Sequence, residues 1–491
     1  MATKNKFSAF GKNDIRGIYG QDITEELFFY TGKAFVRFIE EKENIPPKTI
    51  WIAVAKDART HSTILSKSLM KGIVSAGANV LDIGLVPSPL GYYSEFCTIP
   101  ADIIDNSKVY GSLTVTASHN PKEYNGIKLT YNKKTLTEAE IAKVKELTIE
   151  LINEQENVSR YGVARMYNII NNYTDKIVHQ FCPNIGKGIK VVLDSANGTA
   201  GVVAPRLFKE LGAEVIELYS EPDGTFPNHH PNPSEENTLD DIKKKVVETS
   251  ADVGLAFDGD SDRLGVIDSK GNKIPGDLLL LIYALDMVKE LTKRGESPSI
   301  VAEVKCSQIL FDEINKTGAR ALICKTGHGY IKAKMREENA IFGGEMSGHI
   351  FFKDRYYGYD DAIYAGCRLL EIIANNKRTN PNFKIEDLIE HYKAMTKSAE
   401  LRFHCPNELK EFTMKKFEEK IVTDSNFFGT AIKDINRLDG MRITFDDGFL
   451  LIRQSNTEPV LTLRFEAKTQ EACNHYYDTT VGELEKILKT I

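Results

Sequence analysis

The acidic stretch Asp258-Gly-Asp-Ser-Asp262 follows directly on the apolar run VGLAF. Three carboxylates at alternate positions of a curling loop can converge on one hard cation, with Gly259 relaxing the backbone. No His or Cys stands close in sequence, so oxygen ligation by Asp258, Asp260 and Asp262 favours magnesium over zinc. An EF-hand fits poorly. Counting Asp258 as its first position puts Arg263 where glycine is required and Ser269 where the bidentate glutamate belongs. Arg263 could then bind an anion beside the metal.

Three further loops carry chemistry. LTVTASHNPKEYNG (113–126) opens as a strand and breaks at Ser118, whose free hydroxyl is a poor nucleophile unless a base, a metal or an attached phosphate serves it. A phosphoryl group on Ser118 would bring three charged oxygens that a cation must neutralise, with His119 and Lys128 near enough in sequence to take part. GEMSGHI (344–350) spaces Glu345, Ser347 and His349 so that an extended segment presents all three on one side, which suits sugar hydroxyls. In RQSNTEP (453–459), Arg453 offers a planar donor fork, while Ser455, Asn456, Thr457 and the loop amides can satisfy the other oxygens of a phosphate. Any one of these loops alone could be a solvated turn.

Strands and helices must position these loops. IWIAVAKDA (50–58) reads as a buried strand, followed by a turn at Arg59, a helix through SLMKGIVSAGA and a strand at VLDIG. GKGIKVVLDSANGTAG and ADVGLAFDGDSDRLGVID start similar rounds, so repeated α/β domains are expected, with catalytic residues at the carboxyl ends of strands. Leu278–Leu285 reads as the buried face of a helix capped by Asp277 and is far too short to span a membrane. The Asn/Lys/Pro composition of 375–385 marks a linker, and the remainder reads as an α+β domain. The expected domains are 1–155, 156–256, 257–374 and 375–491.

Composition narrows the function classes. The chain has 491 residues, a net charge of -6 and 27% charged residues, so no basic stripe recommends nucleic acid as a partner. Seven widely spaced cysteines without metal spacing, and a start without an apolar h-region, point to reduced thiols in the cytoplasm. There is no Walker loop, and GTAG near residue 200 is too weak to invoke a dinucleotide.

Taken together, these segments resemble the α-D-phosphohexomutase superfamily, and within it the bacterial phosphomannomutase/phosphoglucomutase group. The resemblance runs from KNDIRGIYG (12–20) through GLVPSP, TASHNP, PDGTFPNHHPNP, DGDSDR, TGH (326–328) and GEMSGH to RQSNTEP. It implies a heart-shaped, four-domain enzyme with three similar mixed α/β domains and a C-terminal α+β domain like the TATA-box-binding protein. It further implies that Ser118 is the phosphoserine, and that its oxygen joins Asp258, Asp260 and Asp262 around Mg2+. Arg263, His119 and Lys128 would stand beside the transferring group, Lys305 and His328 near the sugar or its phosphoryl oxygen, and Glu345, Ser347 and His349 against the sugar. Arg453, Ser455, Asn456 and Thr457 would hold the far phosphate, and Arg16 would bind phosphate or organise a loop.

The implied activity is reversible phosphoryl transfer between the 1- and 6-positions of hexose phosphates through a sugar 1,6-bisphosphate, which also serves as activator. His119, Lys128 and His328 are the base candidates. A swing of the last domain about 375–385 is expected on substrate binding. Asn13 stands near where the family often has an aromatic contact, so substrate positioning here is expected to differ. Met346 favours the mannose/glucose group over phosphoglucosamine mutase, whose loop reads GEQSGH. The rivals are an aspartate-based phosphatase and a noncatalytic sugar-phosphate binder.

Overall fold

The computed structural model describes residues 7–105, 107–154, 161–392, 396–398, 401–424, 426–455 and 459–490. The chain divides into two compact units, one of 1–274 with 347–386 and the other of 275–346 with 387–491.

In the first unit, Trp51–Lys56 is buried at five of six positions and lies parallel between Asn79–Leu85 and Val109–Val115. Such a strand must be covered on both faces. Helices Glu25–Glu43, Ser62–Ser75 and Glu138–Glu154 help to do so, and Phe28, Phe35 and Phe38 enter the core. Thr24 caps the first helix by accepting from Leu27 N at 3.1 Å. Tyr124–Tyr131 returns antiparallel beside Val109–Val115, so the chain around Ser118 is held between two paired strands.

A second sheet orders Lys273–Ile274, Leu264–Ile267, Val253–Phe257, Lys190–Asp194 and Glu214–Leu218. Val253–Phe257 and Leu264–Ile267 form an antiparallel hairpin whose loop is the aspartate stretch. The boundary expected at 256/257 would cut this hairpin, so the acidic loop belongs to the second sheet and not to a third domain. Among the described residues, no helix is long and apolar enough to cross a membrane.

The second unit pairs Arg320–Cys324, Ser299–Glu303 and Phe342–Gly344 in parallel. Its other sheet is antiparallel and includes Leu401–His404, Val460–Ala467, Gly448–Gln454, Met441–Thr444 and Asp434–Asn436, backed by helices Lys410–Thr423 and Gln470–Lys489. The two sheets share a buried seam. Arg442 is fully buried, lies 3.6 Å from the Phe449 ring centroid and donates to Cys306 O at 2.9 Å. Glu466 accepts from Ser307 Oγ at 2.8 Å and Gln308 N at 3.1 Å.

Three expectations are corrected here. The 374/375 boundary and the start of the linker fall inside helix Ala362–Thr379, where Asn376 Nδ2 donates back to Ile372 O at 2.8 Å. By contacts, 387–491 groups with 275–346, while 375–386 groups with the first unit. Asp277 is not the cap of its helix: Pro275 holds that position, and the buried Asp277 carboxylate pairs with Arg464 at 3.3 Å.

One core carboxylate links stability to pH. Glu95 accepts from Thr130 Oγ1 and, at 2.6 Å, from Lys133 N, and burial pushes its pKa up to about 7. Between pH 4.5 and 7 the unfolded chain releases this proton while the folded chain keeps it, so folding stability declines across that window and levels off above it. Glu95→Gln lacks this titration. Its stability relative to the parent is expected to rise by up to roughly 3 kcal/mol from pH 4.5 to 8. Urea denaturation at several pH values checks this; a constant difference would refute it.

Candidate active site

The strand Val109–Val115 ends in a loop whose backbone is held from several sides. Thr116 Oγ1 accepts from Ser118 N at 2.8 Å, and Ser118 adopts φ +52°, a left-handed conformation uncommon for serine. Arg59, whose side chain is fully buried, donates to the carbonyls of Ser118 (2.7 Å), Asn120 (2.6 Å), Pro121 (2.7 Å) and Tyr124 (3.1 Å). Its charge is balanced by Asp57 at 3.2 Å. The sequence marked Arg59 only as a turn; the signal was a cation just beyond a buried strand, where an unpaired charge is costly.

The aspartate loop comes against this serine loop. A Cβ on Gly259 would lie 2.6 Å from Ser118 O, so only glycine permits the approach. Ser118 Oγ donates to Asp258 Oδ2 at 2.6 Å and lies 3.2 Å from His119 Nδ1. Asp258, Asp260 and Asp262 are buried and each offers an oxygen within 4.8 Å of the others. Asp258 Oδ1 accepts from the Asp262 and Arg263 amides at 3.0 and 3.1 Å. Ser88, from the GLVPSP stretch, donates Oγ to Asp260 Oδ2 at 2.5 Å and N to Asp260 O at 2.9 Å.

Lys128 Nζ bridges Asp260 Oδ2 and Asp262 Oδ2. Burial favours neutral Lys128, but these carboxylates outweigh it and hold the ammonium well above its ordinary range. Burial opposes ionisation of Asp260 and Asp262 too, and Lys128 brings both below the usual carboxylate range. Asp258 goes the other way, raised by burial and by the charges of Asp262 and Asp260. His119 is pushed down to about 2 by burial and then by Arg263 and Arg16, so its ring is neutral at working pH.

His349 and Arg263 complete the rim. Arg263 Nε donates to His349 Nε2 at 3.0 Å, and His349 Nδ1 lies 3.1 Å from the buried Asp360 Oδ2. This geometry places the His349 proton on Nδ1. Arg16 donates to Asn120 Oδ1 at 2.9 Å and pairs with Asp14, which ties the N-terminal KNDIRG stretch to the serine loop. Asp360 and Ser88 were not singled out by sequence.

The other expected residues lie in the second unit, apart from Ser347. Between the strand residues Gly344 and Ile350 the backbone turns at 346–347 rather than running extended. Glu345 Oε1 accepts from Gly327 N, whereas His349 serves the carboxylates of the first unit. Glu303, fully buried, accepts from Met346 N at 2.7 Å and Thr326 Oγ1 at 2.8 Å and lies 3.7 Å from Lys305 Nζ. His328 opens helix His328–Glu337. Arg453 Nη2 pairs with Asp439 at 3.0 Å, and Ser455 O accepts from Lys410 Nζ at 2.7 Å. Asn456 and Thr457 lie outside the described residues.

The acidic cluster suits a divalent cation. Asp260 Oδ1 and Asp262 Oδ1 are buried and make no hydrogen bond among the described residues, and the donor set is all oxygen, which fits Mg2+.

Comparison with known proteins agrees with this architecture. Four family models match in order: phosphoglucomutase/phosphomannomutase α/β/α domain I over 8–155, domain II over 171–271, domain III over 275–394 and the C-terminal domain over 400–482. The chain belongs to the phosphoglucomutase/phosphomannomutase family. It therefore has the four-domain α/β fold of the phosphohexomutases. It is 37% identical to phosphomannomutase/phosphoglucomutase of Pseudomonas aeruginosa over 464 residues, covering 94% of this chain and 92% of that one. A phosphoglucomutase/phosphomannomutase family protein from Burkholderia thailandensis superimposes with a TM-score of 0.86 at 34% identity, covering 98% of both chains. The fold also matches an Aspergillus fumigatus N-acetylphosphoglucosamine mutase solved with GlcNAc-6P and magnesium, at a TM-score of 0.61 and 14% identity.

In this family member the serine loop depends on Arg59. Arg59→Met would remove four carbonyl contacts and leave Asp57 buried without its cation, an expected cost of about 3–5 kcal/mol. Urea denaturation should show the loss, and trypsin should cut faster after the exposed Lys122. Unchanged stability and cleavage would refute the clamp.

Proposed function

We propose that Ser118 carries the phosphoryl group that this hexose-phosphate mutase exchanges between the 1- and 6-positions of a sugar. The observation that carries the reading is Ser118 Oγ at 2.6 Å from Asp258, inside a buried cluster of three carboxylates. Mg2+ held by Asp258, Asp260 and Asp262, with a phosphoserine oxygen, would supply positive charge to the equatorial phosphoryl oxygens. In the forward step the bond from phosphorus to Ser118 Oγ breaks and one to a sugar hydroxyl oxygen forms, while the hydroxyl proton passes to a general base and Ser118 Oγ ends protonated. Reversal from the other phosphate of the resulting 1,6-bisphosphate restores phosphoserine. An added sugar bisphosphate would prime the unphosphorylated enzyme in the same way.

The residues divide these tasks by their charge. Lys128, held as an ammonium, and Arg263, aimed by His349, would offset charge on the transferring group. Neutral His119 stands beside Ser118 Oγ without adding a second positive charge there. Lys305, His328, Glu345 and Ser347 would recognise the sugar, and Arg453 with Ser455, Asn456 and Thr457 the phosphate at its far end. Met346 acts within the second unit, since its sulfur contacts Arg464. A metal-dependent enzyme with sugar-phosphate ligands accords with the magnesium and GlcNAc-6P in the Aspergillus relative. Seven free cysteines, five of them buried, suit the reducing cytoplasm.

Coupled assays with mannose 1-phosphate, glucose 1-phosphate and glucosamine 1-phosphate, each primed by its bisphosphate with Mg2+, should show isomerisation of the first two. Ser118→Ala should lower turnover on the order of 10³-fold or more and abolish the phosphopeptide in mass spectra. A turning-over enzyme never modified at Ser118 would overturn the mechanism.

A further inference from the structure

Asp439 joins two recognition loops through one carboxylate oxygen. It precedes Gly440, whose backbone comes so close to the strand Gly448–Gln454 that a Cβ would fall 2.2 Å from Ile452 O and 2.9 Å from Arg453 Cα. Gly440 also adopts φ +82°, so this tight approach is reserved for glycine and fixes Asp439 beside Arg453. Asp439 Oδ2 pairs with Arg453 Nη2 at 3.0 Å and accepts from Thr326 N at 3.0 Å. The two side chains are only 22% and 19% exposed, so solvent screens the pair incompletely.

The groups on either side make the link consequential. Arg453 Nε is buried and makes no hydrogen bond among the described residues, so pinning Nη2 orients a fork with donor capacity to spare. On the other side, Thr326 Oγ1 is tied to Glu303, and the next amide, Gly327 N, to Glu345. A shift of Thr326 would therefore disturb the start of the helix at His328 and the Glu345 carboxylate together.

We propose that Asp439 is a positioning residue that couples anion capture at Arg453 to the placement of the Thr326–Gly327–His328 loop. The proposal rests on the reading of Arg453 as the phosphate anchor. An arriving phosphate takes a share of the guanidinium charge, and Asp439 Oδ2 shifts its hydrogen bonding towards Thr326 N. Occupancy of the phosphate site thus firms the loop that faces the sugar.

The test is a double-mutant cycle of Asp439→Ala and Arg453→Ala in the full-length enzyme. It is read by KM and kcat for glucose 1-phosphate and by calorimetric Kd for the same compound. Asp439→Ala should raise KM and Kd about tenfold and lower kcat, while in the Arg453→Ala background it should change KM by less than about twofold and still lower kcat. Asp439→Asn, which keeps an oxygen for Thr326 N, should recover most of kcat; if the alanine variant does not fold, the cycle is run with asparagine. An unchanged KM in the Arg453-containing enzyme, or the same factor in both backgrounds, would overturn the coupling. A parent enzyme that neither binds nor turns over glucose 1-phosphate would instead sink the phosphate-anchor reading, and the coupling with it.

Discussion

Three carboxylates forced together out of water set the terms for the rest of the first unit. Asp258, Asp260 and Asp262 are each at most 1% exposed, and desolvation disfavours the charged form of every one. Such a cluster persists only if its surroundings supply compensating charge and donors. Lys128, Ser88 and two loop amides do so directly. Because Lys128 and Ser88 come from the first sheet's side and the amides from the second, this neutralisation also fixes one sheet's loops against the other's. Placing Ser118 at the cluster is then a consequence of the same packing.

The second unit uses carboxylates for a different purpose. Glu303, Glu345 and Asp439 each accept from a backbone amide of a neighbouring loop, at Met346, Gly327 and Thr326 respectively. A carboxylate accepts strong hydrogen bonds from amides and also pairs with cations, so one residue can fix a loop and orient Lys305 or Arg453. Buried Arg442 and Glu466 join the two sheets beneath these loops.

The sequence was most legible where a local rule decided the structure. The buried strands at 51–56 and 253–257, the apolar helix after residue 277 and the acidic loop all follow from local composition. Resemblance then assembled loops far apart in sequence into one enzyme. What stayed hidden depends on tertiary partners. Arg59 looks like turn punctuation until four carbonyls converge on it, Asp360 gains meaning only beside His349, and Asn376 reads as linker although helical neighbours hold it. The extended reading of 344–350 failed because alternation governs strands, and the backbone here turns at 346–348, with Gly348 at φ +97°.

Lys128 and a divalent cation look like rivals for one site, since both answer the same negative charge. The oxygens are partitioned instead. Lys128 takes Oδ2 of Asp260 and Asp262, while Oδ1 of each carboxylate makes no hydrogen bond among the described residues. Two carboxylates can therefore hold an ammonium on one edge and present their other oxygens to a cation. The arrangement matters because the phosphoryl group proposed for Ser118 would add about two negative charges to a place already crowded with them. A single compensating charge would leave that excess unmet in a low-dielectric interior, whereas Lys128, Arg263 and a metal together can meet it without displacing one another.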